Sequence, residues 1–204
     1  MRAWILKYPL VALLFCIFSC RGGQAADEIF HSVDLVEGDL VFRRGTGAKA
    51  EAVLRADSQQ VYSHAGIAVR TDTTFGIVHI TPGEREKGDT ADFIKIEPLE
   101  VFFGKRRAVH GAVYRLPDRS KSTSAARHAL RLLDRKIVFD HDYSLDDTAR
   151  MYCTQLIWHC YLQAGTDISN GRRSEIANIP LYSGTYILPS DIYTSKELVL
   201  IFKF

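Results

Sequence analysis

The sequence predicts an α+β fold in which an antiparallel sheet packs against a helix that carries a cysteine. Three observations predict it. Short β-rich segments come first, two helical patterns follow, and an apolar strand, LVLIFKF at 198–204, closes the chain. Strands grouped ahead of helices argue for α+β rather than the alternation of a doubly wound parallel sheet. With 204 residues, 47% apolar and 25% charged, the chain has the length and balance to bury one ordinary core.

The N-terminus stands apart. Arg2 and Lys7 precede an apolar run of ten, PLVALLFCIF at 9–18. A membrane-spanning helix needs about 20 apolar residues, so this run fits a signal-peptide core over 1–19. Two cleavage points compete. Ile17-Phe18-Ser19-Cys20 resembles a lipobox, which would lipidate Cys20 and bring the protein to a membrane. Gln24-Ala25-Ala26 offers small residues to an ordinary signal peptidase. The lipoprotein form is favoured, and either form is exported, as a periplasmic or membrane-anchored protein. Residues 20–34 then read as a tether and 35–204 as the folded domain. Without Arg2 and Lys7, Lys and Arg fall from 26 to 24 and equal the 24 Asp and Glu. No basic field is left to draw nucleic acid. Lys105-Arg106-Arg107 and Arg172-Arg173 read as solvated loops.

Residues 38–43 (GDLVFR) read as a strand after a tight turn. The polar stretch 45–60 holds a short helix. Residues 61–69 (VYSHAGIAV) and 75–81 (FGIVHIT) read as a hairpin around the turn residues Thr71 to Thr74. Further strands fall at 93–97 and 109–116. Residues 122–136 have helical spacing, with Ala126, Leu130 and Leu133 on one stripe. MYCTQLIWHCYLQAG reads as a second helix stopped by Gly165, a good C′ residue. Residues 166–190, rich in Gly, Asn, Ser and Pro, read as a long loop.

Of four cysteines, Cys16 and Cys20 belong to the leader. An exported protein would normally pair Cys153 with Cys160. Seven helical residues hold their Cα atoms about 10 Å apart, and a disulfide needs less than about 7 Å. The same spacing makes a zinc site from Cys153, His159 and Cys160 awkward, so neither metal nor cofactor is expected. Cys160 reads as a small buried residue. Cys153 opens the apolar part of its helix, where the helix N-terminus favours thiolate. An imidazole is the second means of activating a thiol. His64 and His79 lie on the two strands of the hairpin. A two-residue loop would pair 64 with 79; a four-residue loop would pair 66 with 79. Both registers put the two histidines on one face, because side chains alternate with period two. One ring can then orient the other.

Four segments carry a resemblance. They are Gly38-Asp39-Leu40-Val41-Phe42, Tyr62-Ser63-His64-Ala65-Gly66-Ile67, Tyr152-Cys153-Thr154-Gln155-Leu156-Ile157 and Leu188-Pro189-Ser190-Asp191-Ile192-Tyr193. In that order they resemble the circularly permuted papain-like hydrolases of the YiiX/YaeF (YebB-like) group. That group is related to the NlpC cell-wall peptidases and to lecithin:retinol acyltransferase. The resemblance spans roughly 35–204. It implies a permuted papain-like, NlpC-like fold, a thioester intermediate and a Cys-His-polar triad. By motif, Cys153 is the expected nucleophile and His64 the base. His79 is the expected orienting residue, with Glu84 and Glu86 as fallbacks. The Cys153 N–H is one expected oxyanion donor. Tyr62 is a second if its strand bends, and Tyr152 reads as packing.

The remaining histidines take plainer readings: His110 as a half-buried sheet residue, His128 as solvated, His141 in an acidic loop near the cleft, His31 near the N-terminus, and His159 pointing away from Cys153. The expected function is a cysteine amidase or endopeptidase acting on small peptides or peptidoglycan fragments. The alternative is a lipid-directed thioesterase, phospholipase or acyltransferase, which an apolar loop, Ile179-Pro180-Leu181-Tyr182, would suit. A non-catalytic binding module would have no need to keep Cys153, His64 and His79.

Overall fold

Six strands pair into one antiparallel sheet, in the order β10 (Val199–Lys203), β5 (His110–Arg115), β1 (Leu40–Arg44), β2 (His64–Arg70), β3 (Phe75–His79) and β4 (Lys95–Pro98). This computed structural model describes residues 33–72, 74–177 and 183–204. They belong to the unit Val33–Phe204. The leader, Cys20, His31 and the 179–182 loop lie outside the described residues.

Alternation along the strands builds two buried faces. Leu40 and Phe42, then Ala65, Ile67 and Val69, then Val78 and Ile80 form the main core with two helices, α3 (Arg119–Asp134) and α4 (Cys153–Gln163). The helices contribute Ala125, Ala126, Ala129 and Leu132 from α3, and Leu156, Ile157, Cys160 and Tyr161 from α4. The opposite parity carries Arg43, His64, Gly66, Ile77 and His79. There Phe102 of the short α2 (Leu99–Phe102) stacks on His64, with ring centroids 5.4 Å apart, and meets His79 edge-on at 5.2 Å.

Helix α1 (Ala48–Ala56) falls within the expected stretch. Helix α3 starts at Arg119, ahead of the expected Ser122, because Asp118 caps it by accepting from the Lys121 N–H. Its buried stripe is also rotated: Leu130 and Leu133 are only partly buried, while Ser122, Ala125, Ala126 and Ala129 face inward. Small residues there let α3 approach α4 closely, a requirement that spacing alone does not reveal.

The expected loop 166–190 is more ordered than its composition suggests. It holds a three-residue ladder, β8 (Ser174–Ile176) with β9 (Gly184–Tyr186), and α5 (Pro189–Tyr193) begins before its end. Asp191 fixes this region by accepting from the Leu188 N–H and the Ser174 hydroxyl, both at 2.8 Å. Arg172 is tied rather than solvated: it donates to the Asp191 carbonyl and, at 3.3 Å, to that of Thr194. Arg173 lies over the Trp158 ring. A two-strand parallel pair, β6 (Val138–Phe139) and β7 (Arg150–Met151), leads into α4.

Candidate active site

Cys153 is the first residue of α4, and Tyr152 before it is extended. The first turn is held from two sides. Gln155, 1% exposed, accepts from the Tyr152 N–H at 3.2 Å and donates to the Ser144 and Asp147 carbonyls, both at 2.9 Å. The Thr154 hydroxyl donates to the Ile187 carbonyl at 2.5 Å. The N–H groups of a first turn have no partner within their helix. Here the Cys153 sulfur lies near them: the Thr154 N–H and its own, together with the Ala65 N–H of β2, favour its thiolate form. The sulfur therefore sits against the backbone immediately after His64. Both Cys153 and Cys160 are free thiols, the first partly exposed and the second buried.

The hairpin takes the longer of its two possible loops. Ile67 pairs with Val78 and Arg70 with Phe75, so Gly66, not His64, falls opposite His79. A Cβ on Gly66 would lie 2.5 Å from Ile77 Cγ2 and 3.2 Å from His79 Cβ. The bare glycine leaves room for the His79 ring to reach diagonally to His64, and His64 Nε2 lies 2.9 Å from His79 Nδ1. On the far side, His79 Nε2 lies 3.0 Å from Glu97 Oε1 in a bent contact short of good hydrogen-bond geometry. Lys95 Nζ is 3.1 Å from Glu97, and Arg107 Nη1 is 2.8 Å from both its oxygens. Glu84 pairs with Arg43, with Arg107 at 3.2 Å and with Lys95 at 3.6 Å. Three cations thus share two carboxylates beneath the imidazole pair.

Burial first, and this surplus of positive charge second, set the resting protonation of the imidazoles. Burial pushes the His64 imidazole well below its ordinary value, and Arg43, His79, Lys95 and Arg107 push it further. Burial also lowers His79, against the opposing pull of Glu97. Burial alone would raise Glu97, but His79, Arg107 and Lys95 outweigh it and hold the carboxyl far below the usual range. Burial raises the Cys153 thiol, although the Ala65 and Thr154 N–H groups and Arg43 resist. The resting pair is therefore neutral thiol and neutral imidazole. Proton positions follow from the ionised Glu97, which can only accept. His79 carries its proton on Nε2, its Nδ1 accepts from His64 Nε2–H, and His64 Nδ1 is left as a lone pair.

Cys153 and His64 line one cleft of about 490 Å³. One wall, continuing from Cys153, is apolar: Phe139, Tyr143, Tyr152, Tyr186 and Leu188. The other, on the side of His64, carries Arg43, Lys49, Arg106 and Arg107.

Three expected site residues thus come together. Cys153 and His64 share the cleft, with His79 directly behind His64. Tyr62 does not join them. It is 1% exposed, with its ring 5.0 Å from that of Tyr193 and 5.8 Å from that of Phe42, and its hydroxyl bonds to that of Tyr114. It precedes β2, and its ring belongs to the main core rather than to the cleft. Tyr152, expected as packing, is buried but also lines the cleft, and its hydroxyl accepts from the Ile187 N–H at 3.0 Å. Of the fallbacks, Glu84 belongs to Arg43 and Glu86 is exposed on a loop. His141 lies on Phe139 and 3.5 Å from Asp92, outside the cleft lining. Arg107, expected as solvated, is bound to Glu97.

Glu97 is the residue that sequence reasoning missed. Its signal was the segment Ile94-Lys95-Ile96-Glu97, in which charge alternates with isoleucine. On β4 that parity places Lys95 opposite His79 and Glu97 opposite Ile77, on the histidine face.

The family model for the permuted papain-like amidases, YaeF/YiiX, C92 family, matches residues 34–201. Among solved structures, the chain is similar to one described as the metalloprotein yiiX from Escherichia coli O157:H7. The match has a TM-score of 0.64 and 17% identity, over 82% of this chain and 97% of that one. No curated protein matches this chain. Among the described residues no group of three or more His, Cys, Asp or Glu could hold a metal ion. His64, His79 and Glu97 follow one another, with His64 Nε2 2.9 Å from His79 Nδ1 and His79 Nε2 3.0 Å from Glu97 Oε1. Matched over most of its length, with the expected α+β sheet and cysteine-bearing helix in place, the chain belongs to the permuted papain-like amidases of the YaeF/YiiX family, a family of cysteine hydrolases.

Proposed function

We propose that this protein is an amidase or endopeptidase in which Cys153 is the nucleophile and His64 the general base, working through a thioester on small peptides or cell-wall peptides. The observation that carries the reading is the chain His64–His79–Glu97 behind a cleft that Cys153 enters from a helix start. That chain leaves the basic lone pair of His64 on Nδ1, the one ring nitrogen not engaged by His79. Because thiol and imidazole both rest neutral, the proton passes from sulfur to Nδ1 as sulfur attacks the carbonyl carbon. The oxyanion that forms accepts from the Cys153 N–H at the start of α4. His64 then gives its proton to the departing amine, and the C–N bond breaks to leave a thioester. Water, deprotonated by His64, releases the acid and restores the thiol. His79 holds the His64 ring and spreads its transient charge, as the third member of a triad does.

The leader pattern supports action in the envelope, with Cys20 as a lipid anchor to the membrane, and the near-zero charge of the exported chain supports a partner other than nucleic acid. One observation favours a second reading. The aromatic wall of the cleft suits an acyl chain, which fits a lipid-directed thioesterase, phospholipase or acyltransferase. Incubation with muropeptides and, separately, with phospholipid vesicles, with products read by mass spectrometry, decides between them. Peptide cleavage lost in Cys153→Ala supports the first reading, and fatty-acid release or transfer lost in that variant supports the second. No turnover of either, with no alkylation of Cys153, overturns both.

A further inference from the structure

We propose that the cleft selects a peptide amide carrying a carboxylate near the scissile bond, bound by Lys49 and Arg106 on the wall opposite the aromatic residues. The inference rests on the reading of Cys153 as nucleophile for its orientation, but not for the anion site itself. Four cationic side chains line the cleft, against one carboxylate, Glu84. The chain beyond its leader is balanced, with 24 of each sign, so the imbalance belongs to the cleft. Arg43 and Arg107 are committed to Glu84 and Glu97. Lys49 and Arg106 are exposed and, among the described residues, neither pairs with a carboxylate.

The two cations come from adjoining segments of the cleft. The Thr46 hydroxyl donates to the Arg106 carbonyl at 3.0 Å, joining the segment before α1 to the 105–107 turn. Lys49 Nζ reaches over Gly83 on the far lip. Residues 45–50 line the cleft as α1 begins, and Gly47 caps that helix without a side chain. Its first N–H groups add to the same positive potential. The wall joins the base through the Gly45 N–H, which donates to the Ser63 hydroxyl at 2.8 Å, next to His64. The aromatic wall joins the nucleophile through Tyr152. A carbonyl seated at Cys153 therefore has an apolar group on one side and an anion on the other.

The test compares two alkylating agents of the same size on the full chain, anionic iodoacetate and neutral iodoacetamide, with N-acetylcysteine as the reference thiol. Coulomb attraction in water at ~6 Å favours the anion about threefold per cation. The ratio of iodoacetate to iodoacetamide rates at Cys153 is expected to exceed the reference ratio by roughly tenfold. It should fall toward the reference in a Lys49→Ala/Arg106→Ala double variant and in high salt, and recover in Lys49→Arg/Arg106→Lys. A ratio at the reference value, or one unmoved by the double variant, overturns the proposal. If Cys153 reacts with neither agent, the nucleophile reading fails instead. Calorimetry of N-acetylphenylalanine against its carboxamide on Cys153→Ala then judges the anion site alone: a preference for the acid, lost in the double variant, supports it, and equal binding overturns it.

Discussion

At the scale of single residues, the unusual feature is a nucleophile whose burial works against it. Cys153 has a helix start and three N–H groups at its sulfur, yet burial still raises its thiol above the ordinary value of 9.0. Alkylation by iodoacetamide should therefore be slow at pH 7 and still climbing above about pH 10, where an exposed thiol is levelling off. A plateau already reached below pH 7 would mean a preformed thiolate–imidazolium pair. Cys160, fully buried and pushed higher still by burial, should stay unlabelled throughout. Glu97 acts on the same chemistry from two residues away. Glu97→Gln removes the charge that obliges His79 to carry its proton on Nε2, and a glutamine amide can donate there instead. The expected result is a kcat lower by about 10- to 100-fold with KM little changed. His64 and His79 tautomers, read by nitrogen NMR, should shift with it, while Glu97→Asp restores part of the rate. A normal kcat in Glu97→Gln would reduce Glu97 to a partner for Lys95 and Arg107.

At the scale of elements, the hairpin joining His64 to His79 shows what could be read in advance and what could not. Period-two alternation placed both rings on one face whichever loop formed. The register itself depended on the loop, closed by the Thr71 N–H and hydroxyl, which donate to the Thr74 carbonyl. That detail decides that Gly66 stands opposite His79, a role invisible in the motif Ser63-His64-Ala65-Gly66. Gly66→Ala should cost about 1–3 kcal/mol by overpacking against Ile77. It should lower activity more than stability alone explains, because the His79 ring must shift from its 2.9 Å contact. A variant with lowered Tm and full activity per folded molecule would show that the contact tolerates the shift. The other missed elements have a common cause. The β8 strand and the end of α5 are tied together by Asp191 and Arg172 reaching across 17 to 22 residues, and composition reports only that Gly, Asn and Ser are frequent. Tyr62 failed for a different reason: it shares the parity of His64, but it lies ahead of β2, where the alternation does not run, and its ring packs into the core against Phe42 and Tyr193.

At the scale of the whole molecule, the α+β class and the helix carrying Cys153 were legible because they rest on local periodicity and segment order. The charge network was not, because Arg43, Glu84, Lys95, Glu97 and Arg107 come from four separate segments and meet only when the sheet forms. That network ties global stability to the site. His64 is 5% exposed and His79 fully buried, and both have folded values below the ordinary 6.5. Below pH 6.5 the unfolded chain therefore takes up protons that the folded chain refuses, and stability falls as pH drops, by up to about 1.4 kcal/mol per pH unit for each ring. Glu97 has its folded value depressed, so its contribution is present above the ordinary glutamate range and is lost as pH falls below about 4.5. Denaturant unfolding from pH 7.5 to about 3 should show stability declining in two stages, histidines first and carboxylate second. In His79→Gln the first stage should shrink but not vanish, since His64 and the other rings lowered by burial, His110, His128 and His159, remain. An unfolding free energy that stays level from pH 6.5 to 5 would mean that the rings accept protons in the folded state, and the neutral resting site would be wrong.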